Sequence, residues 1–249
     1  MKLRNKKILI CSLVLVGIIT CILFVNNNTK NKEKNVFEHG KSSIDKNSYL
    51  SKEGKQVYSE TYSPLLAIDY SKKDNLNRDA NYIAIIKINS VESSNWDAMN
   101  KKYVAVYSKG NATVLNVLKG KLKSSINYRR LGGEIGYNEW IKGDVDRKKL
   151  EETIGTPANP NNVIIKSQKK DDIQLEAGKT YLVFMTQYSC CNAENEYTIM
   201  AYEYGARELQ EQGESHTLSL PKVDNIKVKD NKSGKWVNLS EVVNLGEVE

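Results

Sequence analysis

The stretch Lys179-Thr180-Tyr181-Leu182-Val183-Phe184-Met185-Thr186 decides how this chain folds. It is rich in β-branched and aromatic residues, apolar at both alternating positions, and preceded by the turn signal Glu176-Ala177-Gly178. A strand with one wet face alternates polar and apolar residues, whereas one without a polar face needs cover on both sides. The stretch therefore predicts a central strand with Phe184 buried, and Ile85 and Leu115 facing the same core.

Outward from it, residues 82–91 (Tyr82, Ile83, Ala84, Ile85, Ile86, Ile88) read as a second buried strand, broken by Asn95-Trp96-Asp97. Residues 103–107 and 112–118 predict two strands on either side of a turn at Lys109-Gly110, and Lys119-Gly120-Lys121 turns the chain again. Residues 126–131 form a further strand, ended by Gly132-Gly133. An insertion over 134–162 follows, with Asp144 placed to cap a helix that Gly155, Pro157 and Pro160 terminate. Residues 196–204 are expected to pair back with the central strand, and 226–228 with 235–239 to form a late hairpin closed by a helical turn. Near the start of the fold, Asp74 is a candidate cap for a short helix through Ala80. Six to nine short strands with one helical insertion predict a mainly β fold, a small antiparallel barrel.

The N-terminal part is different in kind. Four cations (Lys2, Arg4, Lys6, Lys7) precede eighteen uncharged residues, 8–25, enough to cross a bilayer as a helix with the basic flank inside. Two other readings stand beside this anchor: a cleaved signal peptide, and a lipoprotein acylated at Cys21, for which Thr20 is an unfavourable preceding residue. Residues 26–56 are polar and read as a tether. The expected organisation is 1–25 cytoplasmic flank and transmembrane anchor, 26–56 tether, and 57–249 extracellular barrel-like domain on a single-pass membrane protein.

The formal charge of +7 does not belong to the domain. The first seven residues carry four cations, residues 26–56 add a net three, and the region from Val57 onward is neutral. A nucleic-acid binder concentrates cations on its folded surface to displace counterions from phosphates, so that class is set aside. The frequent Lys, Asn and Ile point to an AT-rich bacterial genome.

The order Ala80-Asn81-Tyr82-Ile83-Ala84-Ile85-Ile86-Lys87-Ile88, then Ala112-Thr113-Val114-Leu115-Asn116-Val117-Leu118-Lys119-Gly120, then Gly178-Lys179-Thr180-Tyr181-Leu182-Val183-Phe184 resembles the netrin-like OB-fold modules of tissue inhibitors of metalloproteinases. It also resembles membrane-anchored exported proteins of Gram-positive bacteria that share this pattern. The resemblance spans residues 75–205 and implies an OB-like barrel. Those inhibitors act through a free N-terminal cysteine, and this chain has no cysteine from Asn26 to Ser189. Their inhibitory mechanism does not carry over.

The residues that carry chemistry are few. His39 lies in the tether, leaving His216 as the one imidazole for a metal or a general base, in a polar stretch that reads as surface. Cys190-Cys191 sits at the expected tip of a hairpin, either as a vicinal disulfide or as two free thiols. Cys191 with Arg207 also resembles the cysteine and arginine order of sortases. No histidine lies between Gly40 and Cys190 to supply the acid that enzymes of that type require. Arg129-Arg130 is a candidate anion site, at most one arginine serving it because neighbours on a strand point to opposite faces. Trp96, Tyr137, Trp140 and Trp236 are candidates for a sugar- or partner-binding surface, and the pairs Asp171-Asp172 and Glu151-Glu152 read as solvated turns.

The favoured function is a non-catalytic binding or interaction module with no cofactor or metal, whose partner is a cell-envelope protein or polymer and not a nucleic acid. The alternative is a thiol-dependent surface enzyme centred on Cys191.

Overall fold

The computed structural model describes residues 42–62, 67–97, 101–143, 154–188, 195–210 and 226–244. In chain order these form β1 (Ser42–Leu50), β2 (Gln56–Tyr62), α1 (Lys73–Asp79), β3 (Tyr82–Ile88), β4 (Glu92–Asp97), β5 (Lys102–Lys119), β6 (Ser125–Leu131), β7 (Gly133–Gly136), α2 (Tyr137–Trp140), β8 (Val163–Lys169), β9 (Thr180–Gln187), β10 (Glu196–Ile199), β11 (Ala206–Glu208), β12 (Lys227–Lys229) and β13 (Trp236–Asn238). The fold is mainly β.

Five strands close into a barrel in the order β3, β5, β6, β10, β9 and back to β3. The closure is not wholly antiparallel as expected, because β10 runs parallel to β6 while pairing antiparallel with β9. The apolar runs of β3 and β9 are explained by two separate cores. Ala84, Ile86, Tyr181, Val183 and Met185 point into the barrel with Tyr128 and Tyr197. Their neighbours Ile83, Ile85, Leu182 and Phe184 point outward, under Leu76 of α1 and Val228, Leu239 and Val242 of the C-terminal segment. Leu115 packs against this outer core, as expected from the sequence. Asn77 ties α1 to the C-terminal segment by donating to the Val242 carbonyl at 2.9 Å.

A second sheet, β1-β2-β8-β7, includes a parallel pair between β2 and β8. Tyr58, Ile135, Val163 and Ile165 from it form a third core with Tyr137 and Trp140 of α2 and Val106 of β5. The Trp140 indole N–H donates to Glu60 at 3.1 Å, which is how a tryptophan can be buried here. Tyr137 and Trp140 are thus core residues, and their expected role on a binding surface is corrected; Trp96 and Trp236 are exposed.

Several elements differ from their sequence reading. Part of the stretch expected to be a tether, Ser42–Leu50, is a strand hydrogen-bonded to β2. Lys109-Gly110 does not turn the chain, and β5 runs through it for 18 residues. The glycine answers a crossing: a Cβ at Gly110 would stand 1.9 Å from the Ser90 carbonyl oxygen. Asn95-Trp96-Asp97 belongs to β4 because tertiary contacts outweigh its poor strand propensity. Asn95 is buried and donates to the Glu139 carbonyl at 2.8 Å, and Trp96 packs edge-on against Tyr103 at 4.9 Å. The strand expected over 196–204 stops early, since Ala201 (φ 60°) and Tyr202 (φ 48°) are left-handed and lead into a 3-10 turn at Tyr202–Tyr204. Asp74 lies in the first turn of α1 and is not its cap. The late hairpin is present as β12 and β13, followed by a 3-10 turn at Leu239–Glu241.

The helix expected from Asp144 lies outside the described residues, as do the candidate membrane span at 8–25 and Glu151-Glu152. Among the described residues no helix is long and apolar enough to cross a membrane.

Candidate functional site

Arg129 and Arg130 are adjacent on β6 and have opposite environments, as strand geometry demands. Arg130 continues the inward row of Ile126 and Tyr128 and is buried at one end of the barrel. It pairs with the buried Asp172 and donates to the Tyr202 carbonyl at 3.0 Å. Asp172 also accepts from the Ile173 amide at 2.9 Å. Burial pushes the Asp172 carboxyl above its ordinary range despite the opposing pull of Arg130. Beside it Lys169 pairs with Glu203 at 2.5 Å and lies over the Tyr202 and Tyr204 rings. Burial, with Asp172 and Glu203 adding to it, pushes the Tyr202 phenol up to about 12. The expectation that Asp171-Asp172 is a solvated turn is corrected for Asp172. Arg130, Asp172 and Gln174 line a small cavity of about 10 Å³, the room one water needs, so this cluster fills its end of the barrel.

Arg129 faces outward. Its cross-strand partner on β5 is Lys109, which makes Tyr107, two residues along, its diagonal neighbour on the same face. The guanidinium carbon lies 4.3 Å from the centroid of the Tyr107 ring and 4.3 Å from that of Tyr188, so the cation is clamped between two aromatic rings. Tyr107 is fixed in turn by its hydroxyl, which donates to the Trp96 carbonyl at 2.8 Å. Tyr188 is held beside β10, its amide donating to the Glu196 carbonyl at 2.9 Å. Each cation–π contact is worth about 0.5–2 kcal/mol depending on desolvation. With two rings packed against it, the guanidinium is held in place by its neighbours. Among the described residues Arg129 has no ion pair. A planar fork of donors, already ordered and not committed to a carboxylate, can take a carboxylate or phosphate in bidentate fashion.

Arg207 is committed elsewhere. It lies on β11 opposite Leu182 and pairs with Asp230 at 3.0 Å. A cleft of about 190 Å³ between α1 and the C-terminal segment is lined by Lys73 and Arg207 against Asp230 and Glu241, with no excess of either sign.

The structure thus separates the sequence candidates. Arg129 stands in a built polar site, Arg130 serves the barrel plug, and Cys190, Cys191 and His216 lie outside the described residues. The tyrosines of the clamp were not anticipated. Period-two alternation along β5 would have put Tyr107 on the face of Lys109, but no local signal ties Tyr188 to Arg129. Among the described residues no group of three or more metal-ligating side chains gathers. Compared with known proteins, the chain matches no family model, no curated protein and no solved structure.

Proposed function

We propose that the chain is a membrane-anchored extracellular module, non-catalytic, that binds an anionic component of the cell envelope through Arg129. The observation that carries this reading is the Tyr107–Arg129–Tyr188 clamp, which holds a cation that has no ion pair among the described residues. A surface arginine without a role normally keeps its rotamer freedom, and ordering one costs up to about 2 kcal/mol unless its neighbours do it. The reading of the barrel as OB-like is supported by five strands closing as a Greek key, with the last strand returning between the third and fourth. Such barrels bind polymers across the second and third strands and the adjoining loops, here β5, β6 and the segment after β9. Arg129, Tyr107 and Tyr188 stand there. The anchoring rests on the basic flank and the apolar residues 8–25. The thiol-enzyme alternative finds no support in Arg207, whose guanidinium is engaged by Asp230.

The test is binding of labelled anionic envelope polymers to the full chain in detergent. Arg129→Ala and Arg129→Lys should both lose binding while the chain still unfolds cooperatively at a modestly lower temperature, because an ammonium cannot stack between two rings and offer a planar fork. Undiminished binding by Arg129→Ala refutes the proposal.

A further inference from the structure

The outer surface of the barrel is divided. Over β3, β9 and the C-terminal half of β5 it is apolar and covered by α1 and the C-terminal segment. Over the middle of β5 and β6 it is polar. There the register sets Lys109 opposite Arg129, Asn111 opposite Asn127 and Thr113 opposite Ser125, three rows roughly 7 Å apart on one face. Lys109, Thr113, Ser125 and Asn127 are exposed. Asn89, beyond the end of β3, donates to Asn111 at 2.8 Å and to Thr113 at 3.0 Å, and Asn111 donates to Ser125 at 2.9 Å. These amides and hydroxyls, exposed except for the half-buried Asn111, are cross-linked into a stripe that leads to the Arg129 clamp.

We infer that this stripe and Arg129 together take a linear, hydroxyl-rich polymer with isolated anionic groups, either a phosphate-linked polyol or an acidic glycan. The inference rests on the binding-module reading and adds the class of ligand. Amides and hydroxyls both donate and accept, which is what ligand hydroxyls require, whereas a bare polyanion can only accept. Side chains already bonded to one another lose less entropy when they meet a ligand. Charge points the same way. Glu92 stands opposite Lys109 and Glu196 opposite Asn127, so two acids balance the two cations. A chain of directly linked phosphates, with no hydroxyl-bearing carbons between its charges, would crowd several anions between Arg129 and Glu196. One whose anions are separated by hydroxyls avoids that repulsion. The clamp itself leaves little for stacked bases, because Tyr107 is buried and Arg129 covers one side of each ring.

The experiment measures affinity of the full chain in detergent for four labelled probes of similar length: a glycerol-phosphate polymer, a polyuronate, inorganic polyphosphate and neutral dextran. At least one of the first two should bind most tightly, and which one does identifies the source of the anion. Arg129→Ala should weaken that binding about tenfold or more, the loss of one charge-assisted bond. Asn127→Ala and Ser125→Ala, at unchanged unfolding temperature, should weaken it roughly three- to tenfold and leave the weaker polyphosphate binding unaltered. If polyphosphate binds as tightly as the others and the Asn127 and Ser125 variants are neutral, the ligand class is wrong while anion binding through Arg129 stands. If dextran binds equally and Arg129→Ala is neutral, the charge assignment fails. If no probe binds, both this inference and the function beneath it fall.

Discussion

Phe184 has no exposed surface and sits in the outer core with Ile85, Leu182 and Leu76. Truncating it leaves a cavity between β9 and α1 that neither element can close without breaking its own hydrogen bonds. Phe184→Ala is expected to cost about 3–5 kcal/mol, measured by denaturant unfolding. A near-neutral result would mean that α1 and the C-terminal segment do not cover the strand in solution. Asp230 gives a prediction of another kind. Burial raises its carboxyl, but the Ser233 hydroxyl and amide and then Arg207 outweigh burial and hold it below the usual range. A carboxylate depressed in the folded state contributes stability that is present above its unfolded pKa, about 3.9, and is lost as pH falls through the folded value. Asp230→Asn should therefore lower stability near neutrality and flatten its decline as the pH falls below about 4, followed as unfolding free energy against pH. Parallel curves for the two proteins would show that Asp230 gains nothing from these partners.

β5 shows why one glycine can mislead. Its 18 residues serve the barrel, the β4 hairpin and the third core, and Gly110 lets the Ser90 backbone cross it at close range. A turn and a crossing place the same demand on composition, and only the packing tells them apart. β1 is a comparable case: it reads as polar tether, yet it covers the hydrogen-bonding edge of β2. Deleting residues 42–50 leaves β2 as an open edge, the commonest template for strand pairing between molecules. Light scattering should find that a chain beginning near Val57 self-associates, while one beginning before Ser42 remains monodisperse. Equal behaviour of the two would show that β1 protects nothing.

Among the described residues three cores organise the molecule: the barrel interior, the outer layer beneath α1 and the C-terminal segment, and the layer between the second sheet and α2. Among the described residues the β5 and β6 face that carries Lys109, Thr113, Ser125 and Asn127 is polar and exposed, and the Arg129 clamp lies on it. For that face to meet an envelope polymer it must lie outside the membrane. Protease added to intact protoplasts is expected to degrade the domain after residue 25, detected with an antibody to the C-terminal part. Protection until the membrane is lysed would reverse the orientation and with it the proposed partner.

The sequence by itself determined that the fold is mainly β, that residues 179–186 lie at its centre, and that Arg129 and Arg130 face opposite ways. These follow from short-range physics: a strand has a period of two, and a strand without a polar side must be covered twice. Only the tertiary structure decided that Gly110 spans a crossing, that Asp172 is buried against Arg130, that Trp140 is core, and that Tyr188 closes over Arg129. Each of these depends on groups far apart in the chain, 42 residues for Arg130 with Asp172 and 80 for Trp140 with Glu60. Local composition carries no record of such a partner. A buried aspartate and a solvated one are the same letter until the arginine that neutralises it is brought beside it.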